Sequence, residues 1–245
     1  IARSGSGNHV FADNPDAAGA AIAGEVEGLL NKTVQALSLT VKFEPAVQFL
    51  RLYNDLPAHQ IGDGTVMIEL GDLYAQEARK LLLKFKVPAM ASLGLAKIAT
   101  LELTHVELPG LIEHTATLPI SVNVVPGDEA AGSIPHPTVH SEVLFQEAQD
   151  TKRQASEAFQ RGDLDRGKHL LGQTKARLAM SMQVAPEPLK VEIQAELNEV
   201  DRMDAVATDM GAVYMSNVSR DSNHQMNRKR GRAPHPNQTR EGDTK

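Results

Sequence analysis

At Val125 the hydrophobic period of this chain changes, and nothing else in the sequence constrains the architecture as strongly. Upstream, Leu118, Ile120, Val122 and Val124 alternate with Pro119, Ser121 and Asn123, the period of a strand with one buried face. Downstream, apolar residues recur at helical spacing. Between the two, Pro126-Gly127-Asp128 is turn chemistry: proline presets its own φ, glycine accepts positive φ, and aspartate bonds back to the nearby backbone. The stretch 118–132 is therefore a joint between a strand region and a helical region, and its proline favours a stiff joint over a loose tether. The expected fold class is α+β, with the two kinds of element segregated along the chain.

The strand region runs over 34–127. Leu37, Leu39, Val41 and Phe43 alternate with Ser38, Thr40 and Lys42 until Pro45 ends the run. Val47 to Leu52 predicts a second strand, Val66 to Leu70 a third and Arg79 to Val87 a fourth, with Lys80, Lys84 and Lys86 on a solvent face. Ile98 to Leu108 and Thr117 to Val125 complete about six strands separated by turn signals, the pattern of an antiparallel β-sandwich.

A helical module is expected over 137–219. Pro137 can open a helix whose apolar side carries Val143, Leu144, Ala148, Ala155, Ala158 and Phe159. Gly162-Asp163 breaks it, and Leu164, Leu170, Leu171, Leu178 and Met182 carry a second helix, giving an antiparallel hairpin. The turn segment AFQRGDLDRGKHLL resembles a single tetratricopeptide unit, and arrays of such units need neighbours to bury their faces. After Pro186 and Pro188 a third helix is predicted from about Leu189 to Val218, docking through Val191, Leu197, Val200, Val206 and Met210. Periodicity then vanishes, so 220–245 reads as a disordered, polar and basic tail.

At the other end, His9 to Ala12 reads as a short buried strand, and Asp13 or Asn14 as the cap of a helix with Pro15 at its first position. Ala17, Ala20, Ala21, Ile22, Val26, Leu29 and Leu30 supply its apolar stripe. The segment GSGNHVFADNPDAAGAAIAGEVEGLL resembles the final strand and helix of a von Willebrand factor type A (VWA) domain as found in bacterial multidomain proteins. Its Gly5 and Gly7, Phe11, Asp13 and Asn14, and Glu25 with Leu29 and Leu30 match that pattern, and GDLYAQEARKLLLKFKVP and LPISVNVVPGDEAAG resemble the region that follows the domain. The resemblance implies that 1–33 are the end of a truncated α/β VWA domain, ahead of the sandwich and a three-helix module. It also implies a metal-dependent site upstream, with Mg²⁺ expected only in that missing part. The Asp-x-Ser-x-Ser loop of such a site does not occur in this sequence, so no residue here is assigned as a metal ligand.

Composition narrows the function classes. With an aromatic share of 4% and no tryptophan, few residues can stack on bases or sugars, and a net charge of −6 argues against a generally basic nucleic-acid binder. The absence of cysteine removes disulfides, thiolate nucleophiles and cysteine-ligated zinc together, and leaves the compartment open. No apolar run approaches the roughly 18 residues of a membrane-spanning helix.

Each local motif has an ordinary structural explanation. Gly5-Ser6-Gly7 lacks the Lys-Ser or Lys-Thr of a phosphate loop. His136 and His140 have the spacing of a helical zinc pair, yet Pro137 places His136 at the helix start and no glutamate base lies between them. His105 and His114 fall in the strand region, on either its surface or its core side. Arg161-Gly162-Asp163 spells an integrin-recognition tripeptide, but a hairpin turn needs that glycine and a helix needs that aspartate cap. Carboxylates such as Glu192 and Glu196 read as solvated helix faces. No nucleophile elbow, zinc-protease helix or kinase loop set is present, so no catalytic or cofactor-binding residue is assigned. The expectation is a non-catalytic region that binds and scaffolds protein partners. The alternative is an adaptor for nucleic acid or a membrane surface acting through Asn227-Arg228-Lys229-Arg230-Gly231-Arg232.

Overall fold

The computed structural model describes residues 12, 14–30, 32–75, 77, 79–90, 92–131 and 134–229. Its fold class is α+β, and every strand pairing is antiparallel. After helix α1 (Pro15–Leu30) come β1 (Lys32–Phe43), β2 (Gln48–Leu52), β3 (Ala58–Gly62), β4 (Thr65–Tyr74), β5 (Leu83–Lys86), β6 (Gly94–Glu107) and β7 (Ile112–Val124). A short α2 (Gly127–Ala131) then leads to α3 (Pro137–Gln160), α4 (Leu164–Val184) and α5 (Glu187–Lys229). The strand expected near His9, with Gly5, Gly7, Phe11 and Asp13, lies outside the described residues. Asn14 does cap α1, its Oδ1 accepting the Ala17 N–H at 2.8 Å.

Five strands form one sheet in the order β3-β4-β1-β6-β7, and β2 and β5 form a separate two-stranded ribbon. The second layer is thus a ribbon, smaller than the sheet it covers. Alternation in β1 turns Leu37, Leu39, Val41 and Phe43 inward, where they join Val66, Ile68, Leu70, Ile98 and Ala99 in one apolar core. Phe43 ties the layers together, with Phe49 of β2 and Phe85 of β5 each 5.8 Å away between ring centroids.

The strand expected over Arg79 to Val87 is shorter in the structure. Asn54 explains its late start: its Oδ1 accepts the Leu82 N–H at 2.8 Å and its Nδ2 donates to the Lys80 carbonyl at 3.0 Å. Those backbone groups are satisfied by a side chain instead of a ladder. In β1 the ladder breaks at Ala36, which takes a positive φ of 54° and donates its N–H to Asp72 Oδ1 at 3.2 Å.

The joint at Pro126 is a helical turn, since Ala130 N–H bonds to the Pro126 carbonyl at 2.9 Å and α2 forms there. Pro137 occupies the first turn of α3, as its fixed φ suits. Gly162, at φ 81°, reverses the chain into α4, and Asp163 caps that helix by accepting the Arg166 N–H at 3.1 Å. At Gly167 the two helices approach so closely that a Cβ would sit 2.2 Å from Cε1 of the fully buried Phe159.

The expectation of a three-helix module is overturned by the structure. Inside α5, Gly211 has φ 75° and ψ 168°, which is not helical. Lys152 of α3 donates to Glu196 and, at 3.2 Å, to Ser222 Oγ, although those two residues would stand about 39 Å apart on a straight helix. The chain therefore doubles back at Gly211, and 187–210 and 212–229 are two arms packed beside α3. The module is a four-helix bundle. Helix also continues through 220–229, where loss of periodicity predicted a tail, because contacts to α3 hold the second arm. Residues 230–245 lie outside the description.

Candidate interaction surfaces

The β and helical cores share no residue, and charged side chains connect the two units. Arg51 of β2 reaches Asp150 of α3 at 3.5 Å, while its guanidinium lies 4.7 Å from the Tyr53 ring centre. Asp150 also accepts from Arg153 at 2.6 Å, and Lys80 pairs with Glu192 of α5 at 3.4 Å. Burial pushes the Asp150 carboxyl upward, but the hydrogen bond and charge of Arg153, with Arg51 and Gln154, outweigh it and hold its pKa below the ordinary value of 3.8. The Arg153 guanidinium is raised in turn, chiefly by the Asp150 hydrogen bond.

A second charged cluster anchors the start of β1. Asp72 receives Lys32 at 2.6 Å and the Ala36 N–H, and its carbonyl accepts from Arg79 at 2.6 Å. Burial again pushes the Asp72 carboxyl upward, and the Lys32 and Ala36 hydrogen bonds with the Lys32 and Arg79 charges bring the net shift below 3.8. Glu77 holds Arg79 in place at 3.0 Å and accepts the Tyr74 N–H at 3.1 Å.

The long β6–β7 hairpin presents the most exposed apolar surface of the β unit. Leu111, Ile112 and Leu118 are 70%, 55% and 58% exposed, so the inward face expected of 118–124 is buried only toward its end, at Ile120 and Val122. On the same face His105 and His114 stack across the strands at 5.3 Å, and His114 Nε2 lies 2.8 Å from Glu107 Oε2. Pro119 stands in the outermost strand, a position tolerated because a sheet edge needs no inner donor.

Among the described residues no group of three His, Asp or Glu could hold a metal ion. His136 and His140 are exposed at the start of α3, His136 occupying the cap position. Arg161 and Gly162 form the hairpin turn, and Asp163 is engaged as a helix cap, as the turn requires.

Sequence reasoning missed the most unusual polar group. Lys152 is fully buried, and Glu196, expected on a solvated face, is 2% exposed and paired with it. Gln149 Nε2 also donates to Glu196 Oε1 at 2.8 Å, and Ser156 Oγ donates to the Ser216 carbonyl at 3.1 Å. Position 152 falls on the stripe of Phe145, Ala148, Ala155 and Phe159, which is the signal that could have found it. Val191, expected to dock α5, is 78% exposed, and Ile193 and Met203 do that instead.

No protein-family model matches the sequence, and no curated protein matches it. Among solved structures, von Willebrand factor type A from Catenulispora acidiphila superposes with a TM-score of 0.64 at 13% identity, over 93% of this chain and 53% of that one. The fold is VWA-like. The chain spans about half the length of that solved structure, 53% of it. The ArnB paralog VWA2 from Sulfolobus acidocaldarius overlaps at a TM-score of 0.38 and 14% identity, over 76% of this chain and 42% of the other. Among the described residues of this VWA-like chain, no helix is long and apolar enough to cross a membrane.

Proposed function

We propose that this chain is a non-catalytic binding and scaffolding region, the C-terminal portion of a bacterial VWA domain-containing protein, with a β-sandwich joining that domain to a helical module. The observation that carries the reading is the superposition of 93% of this chain on 53% of the solved von Willebrand factor type A structure. The state of α1 also supports it: Ile22 is 66% exposed, and the helix makes no extended contact with another element among the described residues. A helix of 16 residues gains most of its stability from packing, so an α1 whose Ile22 is exposed fits an element that belongs to a neighbouring folded unit.

The residues present do not fit a metal-dependent binding site, for want of both an Asp-x-Ser-x-Ser loop and a three-ligand cluster among the described residues. In this reading such a site, with its Mg²⁺, belongs to the upstream part of the protein. The β6–β7 hairpin and the charged seam then serve to present that domain and pass its movements to the bundle. Titration calorimetry with Mg²⁺ tests the assignment: a protein extended upstream should bind, and this chain should not. Tight stoichiometric binding by residues 1–245 would overturn it. Removing 228–245 should leave partner binding intact, whereas loss of binding together with loss of retention on polyanions would favour an adaptor acting through the tail. Turnover in a broad hydrolase screen would sink the non-catalytic part.

A further inference from the structure

The arm 212–229 is joined to the rest of the bundle by one non-helical residue. Helical backbone flanks Gly211 on both sides, and its φ of 75° with ψ of 168° lies in a region that essentially only glycine occupies. Nothing lies within 4 Å of a Cβ placed there, so a side chain at this position would meet a backbone penalty alone. Given helical dihedrals at Gly211, α5 would become one straight helix about 64 Å long, and the second arm would leave its own bundle.

That arm is not suited to stand alone. Met215, Ser216 and Ser219 are buried on its inner face, and its bonds run to α3, from Lys152 to Ser222 Oγ and from Ser156 to the Ser216 carbonyl. Every one of these contacts is between the arm and a surface that any second copy also carries. Exchange between two copies would rebuild them all with twofold symmetry, and such an interface closes on itself. A hinge of one residue has no slack to relieve strain within a single chain, the circumstance in which exchange is favoured.

We propose that 212–229 is an exchangeable arm: Gly211 folds it back onto its own bundle, and in the straight form it docks in the same place on a second copy, giving a domain-swapped dimer. The straight form needs no residue type that the bent form lacks, whereas the bent form needs glycine. Replacing that glycine should therefore favour the dimer.

The test uses the full chain, which has no cysteine, so an introduced pair reports without background. Ser156→Cys with Ser216→Cys places one thiol on α3 and one on the arm, to be joined by a short bis-maleimide cross-linker. In dilute wild-type background the cross-link should fall within one chain. With Gly211→Ala, light scattering after size exclusion should show the dimer fraction rising about tenfold or more at equal concentration, with the cross-link moving between chains. Inserting Gly-Ser-Gly-Ser after Gly211 should restore slack and return the monomer. A Gly211→Ala protein that stays monomeric with an intrachain link would overturn the proposal, as would a dimer whose link stays intrachain. If Gly211→Ala does not fold, wild-type background refolded at high protein concentration must give interchain links, and intrachain links alone would overturn it.

Discussion

The two cores of this molecule are built on different rules. Among the described residues of the β unit the central core cluster is apolar, with Ile68 at 0% and Val41 and Ile98 at 1% exposure, closed by the rings of Phe43, Phe49 and Phe85, and the buried Glu77 side chain pairs with Arg79 apart from that cluster. In the bundle, Leu171, Leu178, Phe145 and Phe159 share the interior with Lys152, Glu196, Gln149, Ser156, Thr174 and the hydrogen-bonded pair Ser141 and Ser181. An apolar core is indifferent to which neighbour is which, provided volume is filled. A polar interior is not, because each group left without its partner carries a desolvation penalty. The bundle is thereby told which helix goes where, and Lys152 bridges both arms of α5.

The largest expected effect comes from separating the buried charges. Lys152→Met leaves the buried Glu196 carboxyl without its partner, so urea unfolding of the bundle should show a loss of about 3–5 kcal/mol. Adding Glu196→Gln keeps an acceptor for Gln149 and removes the charge, and should return stability to within about 1 kcal/mol of wild type. Equal losses in the single and double variants would mean that the ion pair does not organise the bundle.

In the β unit the corresponding probe is Ile68→Ala, expected to lose about 2–5 kcal/mol from transfer and cavity alone. Here only restored volume should compensate. Gly167→Ala in α4 should lose about 1–3 kcal/mol despite the better helix propensity of alanine, because the new methyl meets the immobile Phe159 ring. If it stabilises instead, the helices pack more loosely than described.

The acid side separates seam from core with a smaller effect. Asp72 and Asp150 both have folded pKa values lowered from 3.8, so their contribution is present above that value and is lost as pH falls through the lowered ones. Stability measured from pH 6 to 2 should fall in that acid window, with a shallower slope in Asp72→Asn. The smallest effect belongs to the exposed seam: Arg51→Ala should cost no more than about 1 kcal/mol, since its pairing with Asp150 is screened by water.

What could be read from the sequence follows the same division. Regular alternation placed β1, β4, β6 and β7, and glycine, proline and aspartate placed the ends of α3 and α4. The strand β3 was invisible because Ala58 to Gly62 is exposed throughout and joins the sheet by backbone bonds to β4. The reversal at Gly211 was invisible because helical spacing continues on both sides of it, and an isolated glycine inside a helical pattern does not announce a turn. Lys152 and Glu196 were hidden for another reason: charge is usually read as solvent, and only a partner on a distant arm makes burial tolerable. Exposed apolar residues on the hairpin, such as Leu118, likewise depend on what packs over each strand position, which no local pattern encodes.

Native-state hydrogen exchange compares the two regions in one measurement. Amides of Leu39, Val41 and Ile68, in the interior strands of the β unit, should open only with global unfolding of that unit, and those of 193–207 only with unfolding of the bundle. Amides of 212–229, packed on the bundle through Met215 and bonded to α3 at Ser216 and Ser222 but joined to the rest of it through one glycine, should open at a distinctly lower free energy. Equal protection along both arms of α5 would contradict a bundle whose polar interior lets one helix part from the others.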